Sequence, residues 1–448
     1  MSRTSVTVHW FRRDLRLHDN HALLAALRSG HPVLPIFIFD TNILDDLEDK
    51  CDRRVDFIHR TLQAINAELE QYGSNLHVEV GDPMEAWRRI VERYNVKSVQ
   101  ANRDHEPYGV ARDVRVEEFL KGKGVVFTTH KDHSVFERNE VVKEDGLPYT
   151  VFTPYMRKWR AQFRPALLDV FGSEGELGAL VRREPIPMPS LHDIGFQRTD
   201  LEMPLVRMDA GLLRNYPDRR NFPGVEGTSR LSVHLRFGTV SVREVLRKTW
   251  EVSPVFANEL IWREFFMQIL WHFPRVITQA FKPAYDGIAW RNDPDEYAAW
   301  CEGRTGYPIV DAGMRELKAT GHMHNRVRMI TASFLTKHLL IDWRWGEAWF
   351  ATNLLDFELS SNNGNWQWAS GSGCDAAPYF RIFSPAAQTT RFDPDHKYIG
   401  RWVPEWGTPA YAKPIVDHDF ARKRALSTYK AGLATAHGRS PMQPQLFI

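Results

Sequence analysis

The first 130 residues alternate short apolar segments with amphipathic ones, and this alternation constrains the fold more than any other feature of the sequence. Segments with the length and residue types of strands fall at 5–11, 32–39, 76–80, 97–101 and 125–130. Segments with the apolar spacing of helices lie between them, at 22–28, 53–72, 84–94 and 110–121. Strands that alternate with helices in this way predict an α/β domain built on a doubly wound parallel sheet.

The rest of the chain has a different pattern. Residues 133–205 show poor periodicity and contain several prolines, which predicts an extended connector. From residue 206 onwards, apolar residues recur at three- and four-residue spacing, which predicts helices. We therefore expect four parts, namely an α/β domain at 1–132, an interdomain linker at 133–205, an all-helical domain at 206–435 and a C-terminal tail at 436–448.

Composition excludes several classes of protein. With 43% hydrophobic and 25% charged residues, the chain is neither collagen-like nor disordered. Because it has no apolar run of membrane-spanning length and no signal-peptide pattern, we expect a cytoplasmic protein with no membrane partner. The three cysteines, Cys51, Cys301 and Cys374, are too scattered for a zinc site or a disulfide framework, and we expect all three thiols to be buried.

Charge and aromatic content point to local features only. The net charge is +2, so a nucleic-acid partner would have to be recognised by a local basic patch. The chain has 15 tryptophans, most of them in its second half. A large helical core would account for them, and so would a site for a flat cofactor or a nucleobase.

Glu259, Trp262 and Phe266 lie at i, i+3 and i+7, so a carboxyl group shares a helix face with two large rings. Burial there would raise the pKa of the carboxyl group and let it donate a hydrogen bond to a ligand carbonyl. A surface glutamate beside a core tryptophan fits the same spacing.

Two further segments carry polar groups suited to a ligand. Asn325, Arg328 and Met329 share a helix face, and Asp356 could pair with the arginine, although an ordinary ion pair would look the same. The run Thr228-Ser229-Arg230-Leu231-Ser232 suits phosphate capture at a helix start, although a plain helix cap would also use it.

Longer segments resemble the photolyase/cryptochrome flavoproteins, and class I cyclobutane pyrimidine dimer (CPD) photolyases above all. The matching segments are 9–16, 149–154, 225–232, 259–265, 305–312, 325–329 and 375–381. Because they follow one another over nearly the whole chain, the sequence is identified as a member of this family. The resemblance implies a Rossmann-like antenna domain, a helical FAD-binding domain and light-driven repair of UV-damaged DNA by a monomer. In that reaction, excited reduced FAD gives one electron to a dimer flipped out of the duplex.

The resemblance also implies roles for individual residues. Catalytic contacts to the dimer fall to Glu259, Asn325, Met329, Trp262 and Trp368. FAD contacts fall to Tyr216, Thr228, Ser229, Arg230, Leu231, Ser232, Glu259, Trp262, Asn325, Arg328, Asp356, Phe357, Glu358 and Asn362. Arg328 and Asp356 would flank the flavin ring, and Asn362 would lie near its N5 atom. DNA-backbone contacts fall to Arg220, Arg326 and Arg381, and the electron-transfer chain to Trp290, Trp343 and Trp366.

Some predictions stay open at this level. Glu106 matches an antenna-contacting glutamate, but Ile277-Thr278 replaces the Cys-Lys of folate-binding members, so the antenna is a folate, a deazaflavin, another flavin or absent. A cryptochrome-like blue-light photoreceptor is the alternative function, and a DNA-binding module without catalysis is a third. The tail 443–448 resembles peptides that dock on bacterial sliding clamps, although a merely disordered tail is the favoured interpretation.

Overall fold

The computed structural model describes residues 4–437, and these divide into two compact units. The first unit comprises 4–149, 154–217 and 229–271, and the second comprises 150–153, 218–228 and 272–437. This division groups most of 206–271 with the N-terminal residues. The domain ranges proposed from the sequence are a division by pattern and stay a prediction.

A five-stranded parallel sheet lies in the first unit, with strand order β3-β2-β1-β4-β5. Its strands are β1 (Ser5–Phe11), β2 (Val33–Asp40), β3 (His77–Gly81), β4 (Asn95–Asn102) and β5 (Val126–His130). In the centre of the sheet, Val8 pairs with Leu34 on one side and Val99 on the other, and all three are completely buried. Such a strand is apolar on both faces because crossover helices cover both sides of a parallel sheet. The predicted doubly wound sheet is confirmed.

Helices connect the strands and continue after the last of them. They are α1 (His21–Leu27), α2 (Thr41–Leu44), α3 (Arg53–Glu70), α4 (Pro83–Arg93), α5 (Pro107–Gly122), α6 (Phe152–Gln162), α7 (Ala210–Arg219), α8 (Ser232–Phe237), α9 (Val242–Thr249) and α10 (Pro254–His272). Asn20, Asp52 and Asp82 begin α1, α3 and α4 by accepting backbone N–H groups of the first turn.

After α10, the regular secondary structure of the second unit is helical in the residues that the structure describes. Its helices are α11 (Pro294–Cys301), α12 (Pro308–Thr320), α13 (Asn325–Ser333), α14 (Trp343–Asn353), α15 (Leu359–Ser370), α16 (Pro385–Phe392), α17 (Lys397–Trp402) and α18 (His418–His437). A π-helical turn at Phe334–His338 follows α13. The core of this unit packs Trp300, Val327, Leu335, Trp343 and Trp366 together. The predicted helical second part is confirmed.

Three other expectations are settled or left open by the structure. Between residues 4 and 437, no helix has the length and apolar character needed to cross a membrane. Cys301 and Cys374 are buried as expected, but the expectation is wrong for Cys51, which is exposed just before α3. The clamp-like segment 443–448 lies outside the described residues.

Candidate functional site

A pocket of about 590 Å³ opens among three helices of the second unit. Residues of α13, α14, α15 and the connection before α15 form its wall: Asn325, Arg328, Met329, Ala332, Phe350, Leu354, Asp356, Phe357, Glu358, Ser361, Asn362, Asn365, Trp366, Trp368 and Ala369. Its lining combines aromatic and apolar side chains with a few polar groups, as in pockets that bind organic ligands. The structure therefore brings Asn325, Arg328 and Met329 together with Asp356 and Asn362, as the sequence predicts.

Two side-chain caps start the helices that carry these groups. Before α13, the His324 side chain accepts the backbone N–H of Arg326 at 3.1 Å. Before α15, the Glu358 carboxylate accepts the Ser361 N–H at 2.9 Å and is also held by the Ser360 hydroxyl group. Glu358, a predicted flavin residue, thus also fixes the first turn of α15 at the pocket.

Arg328 and Asp356 form the charged part of the wall. Arg328 Nη2 donates to both Asp356 oxygens, at 2.8 and 3.1 Å, and its Nε donates to the Met323 carbonyl at 2.8 Å. Asp356 is only 8% exposed, and the guanidinium supplies a counter-charge to its buried carboxylate. The pair therefore places a guanidinium group of fixed position on the wall of the pocket, with the Asp356 carboxylate as its counter-charge.

Asn362 is held in place by a residue that the sequence analysis missed. Its Nδ2 donates to the Glu347 side chain at 2.8 Å and to the Glu347 carbonyl at 3.1 Å. Burial raises the pKa of Glu347, and the hydrogen bond from Asn362 works against that rise. Because Glu347 is on α14 and Asn362 on α15, no periodic spacing in the sequence would have paired them.

Aromatic side chains complete the pocket. Trp366 is 2% exposed, and the Phe350 ring meets it edge-to-face at a centroid distance of 4.9 Å. Gly346 of α14 makes this packing feasible, since a Cβ atom there would lie 2.1 Å from the Trp366 ring. Trp343 shares the buried cluster of Trp366, and Trp290 packs against that cluster. Electron transfer along these three tryptophans stays a prediction.

The pocket residues fit a flavin ring system. A flat, partly polar ring needs apolar walls and a few fixed hydrogen-bonding groups. Trp366 and Phe350 supply the walls, while the guanidinium of Arg328 and the amide of Asn362 are each fixed by hydrogen bonds to other protein groups. A fixed positive group favours a flavin that has gained negative charge on reduction.

On α10, in the first unit, Trp262 lies in an aromatic group and Glu259 is half-buried. The Trp262 ring stacks on Phe266 at 5.6 Å and meets Phe265 edge-to-face at 5.6 Å. The carboxyl group that is completely enclosed on this helix is Glu264, which accepts from Trp159 Nε1 at 2.6 Å and from Phe136 N at 3.3 Å. Burial raises the pKa of Glu264 to about 7. The role of Glu259 and Trp262 towards the dimer stays a prediction.

The predicted phosphate segment has an unusual backbone. Arg230 adopts a left-handed conformation with φ of 54°, and Ser229 is buried with its hydroxyl group 3.4 Å from the N–H of Leu231. Leu231 precedes α8 without a side-chain cap, so the plain-cap alternative does not explain this run. Thr228 belongs to the second unit and Ser229 to the first. Tyr216, on α7, packs edge-to-face on Phe256 at 4.9 Å.

Two of the three predicted DNA-contacting arginines lie close together. Arg326 Nη2 donates to Asn221 at 2.7 Å, and its guanidinium covers the Phe392 ring at 4.3 Å. Burial, and then the nearby charges of Arg220 and Arg391, lower the pKa of Arg326. Arg381 is exposed on the segment before α16. Arg391 is a basic member of this group that the sequence analysis missed.

Glu106 lines a second pocket, of about 860 Å³, beside the sheet of the first unit. The carboxylate is 3.0 Å from Arg13 and 3.9 Å from Arg236. Across the same pocket, the Tyr108 hydroxyl donates to Asp40 at 2.6 Å, and burial raises the pKa of both groups, that of Tyr108 to about 12. The pocket adjoins the carboxyl ends of β1 and β2, where doubly wound sheets bind ligands.

Comparison with protein families gives two matches that together cover much of the chain. Residues 7–172 match the family described as "DNA photolyase". Residues 256–408 match the "FAD binding domain of DNA photolyase". The second range includes the whole Arg328–Asp356–Asn362 pocket, so the chain binds FAD.

Individual relatives match over nearly their full length. A deoxyribodipyrimidine photo-lyase of Agrobacterium fabrum is 36% identical, covering 96% of this chain and 98% of that protein. A class III photolyase structure from Agrobacterium tumefaciens superposes with a TM-score of 0.86 at 34% identity, covering 96% and 98% of the two chains.

Two further solved structures have different descriptions, since one is a photolyase and the other a cryptochrome. A Sulfolobus tokodaii photolyase with two FAD molecules has a TM-score of 0.80 at 32% identity, and a Synechocystis cryptochrome has 0.81 at 25%. Each comparison covers 96% of this chain and 100% of the other. The extent of these matches, together with the FAD-fitting pocket, shows that the chain belongs to the photolyase/cryptochrome family of flavoproteins.

Proposed function

We propose that the protein repairs cyclobutane pyrimidine dimers in DNA with light. The observation that carries the proposal is the shared wall of the second-unit pocket, where the flavin-fitting groups Arg328, Asp356 and Asn362 lie beside the proposed dimer contacts Asn325 and Met329. Bound reduced FAD would supply one electron to the dimer on excitation and take it back after the ring opens. The protein side chains contribute by holding the cofactor and the dimer in position.

Each pocket residue has a distinct task in this proposal. The Arg328 guanidinium stabilises negative charge on the reduced cofactor, and Asp356 holds that guanidinium in place. The Asn362 amide, held by Glu347, offers a hydrogen bond near the flavin without the acidic proton that an aspartic acid would bring. Asn325 presents an exposed amide to a flipped-out base, and Met329 and Trp368 offer it apolar surface.

Other residues are assigned to the DNA and to the flavin phosphates. Arg220, Arg326 and Arg381 contact the DNA backbone, whose phosphates attract guanidinium groups regardless of sequence. Tyr216 and the run 228–232 contact the FAD phosphates. The Glu259 carboxyl group donates to the carbonyls of the dimer, beside Trp262.

The relatives support photolyase activity in general, but they do not assign this chain to one class of photolyase. The curated relative acts, by its name, on deoxyribodipyrimidine, and the structural relative from Agrobacterium tumefaciens is described as class III. The resemblance to class I enzymes, drawn from sequence segments, stays a prediction. CPD repair is proposed because Asn325 and Met329 stand where (6-4) photolyases carry histidines.

The test is loss of cyclobutane dimers from UV-irradiated oligothymidine, incubated with chemically reduced holoprotein under blue light or in the dark. We expect repair only in the light, and slower repair by at least tenfold for Glu259→Ala and for Asn325→Ala. Glu251→Ala, a change at an exposed position before α10, is the matched control and should repair normally. Retained FAD with no light-dependent loss of dimers would refute the proposal.

That outcome would favour the photoreceptor alternative, which is consistent with the cryptochrome among the structural relatives. A photoreceptor would be expected to change its affinity for a protein partner on illumination. A DNA-binding module without catalysis would instead be supported by purified protein that carries no flavin.

A second chromophore is also proposed, in the first-unit pocket lined by Glu106. The Sulfolobus tokodaii relative contains two FAD molecules and is described as implying a light-harvesting cofactor. In this chain, the pocket of about 860 Å³ has aromatic walls at Trp10 and Phe39 and polar groups at Glu106 and Tyr108. Absorption spectra after adding a folate, a deazaflavin or a flavin to the holoprotein identify the ligand, and Glu106→Ala should weaken its binding.

A further inference from the structure

The segment that connects α12 to α13, residues 321–324, contacts both sides of the charged pair in the second-unit pocket. The Met323 carbonyl accepts Arg328 Nε at 2.8 Å. The Gly321 carbonyl accepts the backbone N–H of Leu355 at 2.8 Å, and the next residue along the chain is the aspartate of the pair. The position of this segment therefore affects where the guanidinium and the carboxylate of the pair lie.

The same segment starts the helix that carries the proposed dimer contacts. The His324 backbone carbonyl accepts the N–H groups of Val327 at 2.8 Å and of Arg328 at 3.0 Å, and its side chain accepts the N–H of Arg326. Burial lowers the pKa of His324 to about 4, so the imidazole is neutral at neutral pH and its Nδ1 atom keeps the lone pair that the cap needs. A displaced segment would therefore move the first turn of α13 as well.

A buried carboxylate anchors this segment. Glu316, on α12, is 6% exposed. Its Oε2 atom accepts the backbone N–H of His324 at 3.4 Å and the hydroxyl group of Tyr398 at 2.6 Å. Its Oε1 atom is 3.3 Å from His322 Nδ1. Because Tyr398 is on α17, the carboxylate joins the connecting segment to two helices.

These contacts keep the carboxylate charged although it is buried. Burial raises the pKa of Glu316, but the interaction with His322, followed by the hydrogen bonds from Tyr398 and the His324 N–H, holds that pKa below its usual value. Moving a buried carboxylate away from its hydrogen-bond partners is costly. Residues 321–324 are therefore held in one position before FAD binds.

We propose that Glu316 is a positioning residue for the flavin, acting through Arg328. By holding residues 321–324, Glu316 keeps the Arg328 guanidinium where its positive charge stabilises the reduced cofactor. The proposal rests on the proposed function in one respect, since that function assigns this task to Arg328. Breaking the hydrogen bonds of Glu316 should make bound FAD harder to reduce.

The sign of this effect separates positioning from a direct effect of charge. Glu316 carries a negative charge, and a negative charge in the protein disfavours a cofactor that gains negative charge on reduction. Deleting that charge without any movement would therefore make bound FAD easier to reduce. Losing the fixed position of the guanidinium has the opposite effect, so a fall in the midpoint potential of bound FAD indicates positioning.

The experiment measures the two-electron midpoint potential of FAD in the purified holoprotein by spectroelectrochemical titration. Glu316→Leu removes all three contacts and should lower the potential by at least about 30 mV, which corresponds to a tenfold shift in the two-electron equilibrium. Glu316→Gln is the conservative variant. Its amide oxygen can accept from Tyr398 and His324 while its NH₂ group donates to His322, so the potential should stay at the parent value or rise.

Two tyrosine variants supply a matched comparison. Tyr398→Phe removes one hydrogen-bond donor from Glu316. Tyr411→Phe removes one donor, at 2.5 Å, from Asp311, which is a buried carboxylate near the start of the same helix. Both variants should lose a comparable free energy of unfolding in urea, but only Tyr398→Phe should lower the potential. This pair tests the proposal even if Glu316→Leu does not fold or does not retain FAD.

A second background tests whether Glu316 acts through Arg328. Arg328→Lys keeps a positive charge but lacks the Nε atom that donates to the Met323 carbonyl. In this background, Glu316→Leu should lower the potential by less than half of its effect in the parent. An undiminished effect would show that Glu316 acts independently of Arg328 and would overturn the proposal.

Three further results also overturn it. They are a parent-like or higher potential in Glu316→Leu, a fall in Glu316→Gln as large as that in Glu316→Leu, and shifts in Tyr398→Phe and Tyr411→Phe that do not differ. The titration needs no DNA, so it is independent of the repair assay. If the parent holoprotein repairs no dimers while Glu316→Leu lowers its potential, the proposed function fails and the positioning role stands.

Discussion

At the residue scale, the polar side chains of the pocket are held in place by hydrogen bonds to other side chains. Arg328 is held by Asp356, and Asn362 is held by Glu347. A group fixed before the ligand arrives loses little conformational entropy on binding, so its hydrogen bonds contribute more to affinity. The same logic makes these residues sensitive to substitution, because removing one member of a pair leaves a buried polar partner unsatisfied.

Arg328→Met tests the charged pair. The change takes the Arg328 guanidinium away from the buried Asp356 carboxylate, which costs about 3 kcal/mol of unfolding free energy. We also expect FAD retention to fall at least tenfold, measured as flavin per protein after gel filtration. Arg304→Met is the control, since Arg304 pairs with Glu302 where both side chains are about half exposed, and should cost less than about 1 kcal/mol. Parent-like FAD retention in Arg328→Met would contradict the prediction.

Glu264→Gln tests the buried carboxyl group of α10. In the folded protein its pKa is raised from 4.5 to about 7, so between these values the folded state binds more protons than the unfolded one. This group therefore lowers the free energy of unfolding as pH rises through that window, by up to about 3 kcal/mol. Relative to the parent, Glu264→Gln should gain stability between pH 4.5 and 7, the two values that bound this window.

Urea unfolding of both proteins across that pH range measures the difference between their free energies of unfolding. Taking the difference cancels the contributions of titrating groups that both proteins share. Glu251→Gln, a change at an exposed position, should run parallel to the parent. A stability difference between Glu264→Gln and the parent that does not vary with pH would show that folding does not raise the pKa of Glu264.

At the element scale, the pocket depends on how closely α14 approaches α15. Gly346 faces the Trp366 ring and the Leu335 side chain, and it leaves the space that Trp366 occupies. The same approach brings Glu347 to Asn362. One small residue on α14 thus sets both the aromatic wall and the polar group of the site.

Gly346→Ala should therefore disturb the site although it adds one methyl group. Its Cβ would lie 2.1 Å from Trp366 and 2.6 Å from Leu335, which forces both side chains to move. Overpacking of this kind costs about 1–3 kcal/mol, and we expect weaker FAD binding as well. Gly400→Ala on α17, where a Cβ meets nothing within 4 Å, is the control and should be neutral or stabilising. Thermal unfolding and flavin content measure both, and equal behaviour of the two variants would refute the prediction.

At the scale of the whole molecule, net charge conceals where the charges are. The chain carries 58 basic and 56 acidic residues, so its total gives little attraction for DNA. In the second unit, however, burial and then the nearby charges of Arg220 and Arg391 lower the pKa of Arg326, which shows that three basic groups lie close together. A local positive surface of this kind can bind phosphates even on a nearly neutral protein.

Arg326→Gln should weaken binding to UV-irradiated duplex DNA and make that binding less dependent on salt. Losing one phosphate contact lowers the slope of log affinity against log salt concentration by about 1. Fluorescence anisotropy over a series of salt concentrations measures both quantities. Arg304→Gln, at an exposed position outside this group, should change neither. An unchanged slope in Arg326→Gln would remove this residue from the DNA interface.

Local patterns in the sequence determined the parallel sheet, because strand and helix periodicities are properties of neighbouring residues. They also placed Asn325, Arg328 and Met329 on one face, since three- and four-residue spacing defines a helix face. Exposure could not be predicted in the same way, as Cys51 shows.

Only the tertiary structure paired Glu347 with Asn362, set Gly346 against Trp366, and enclosed Glu264 beneath Trp159. Each of these contacts joins residues on different helices. The packing angle and the separation of two helices are not encoded in the periodicity of either one, which is why such contacts emerge only from the folded chain.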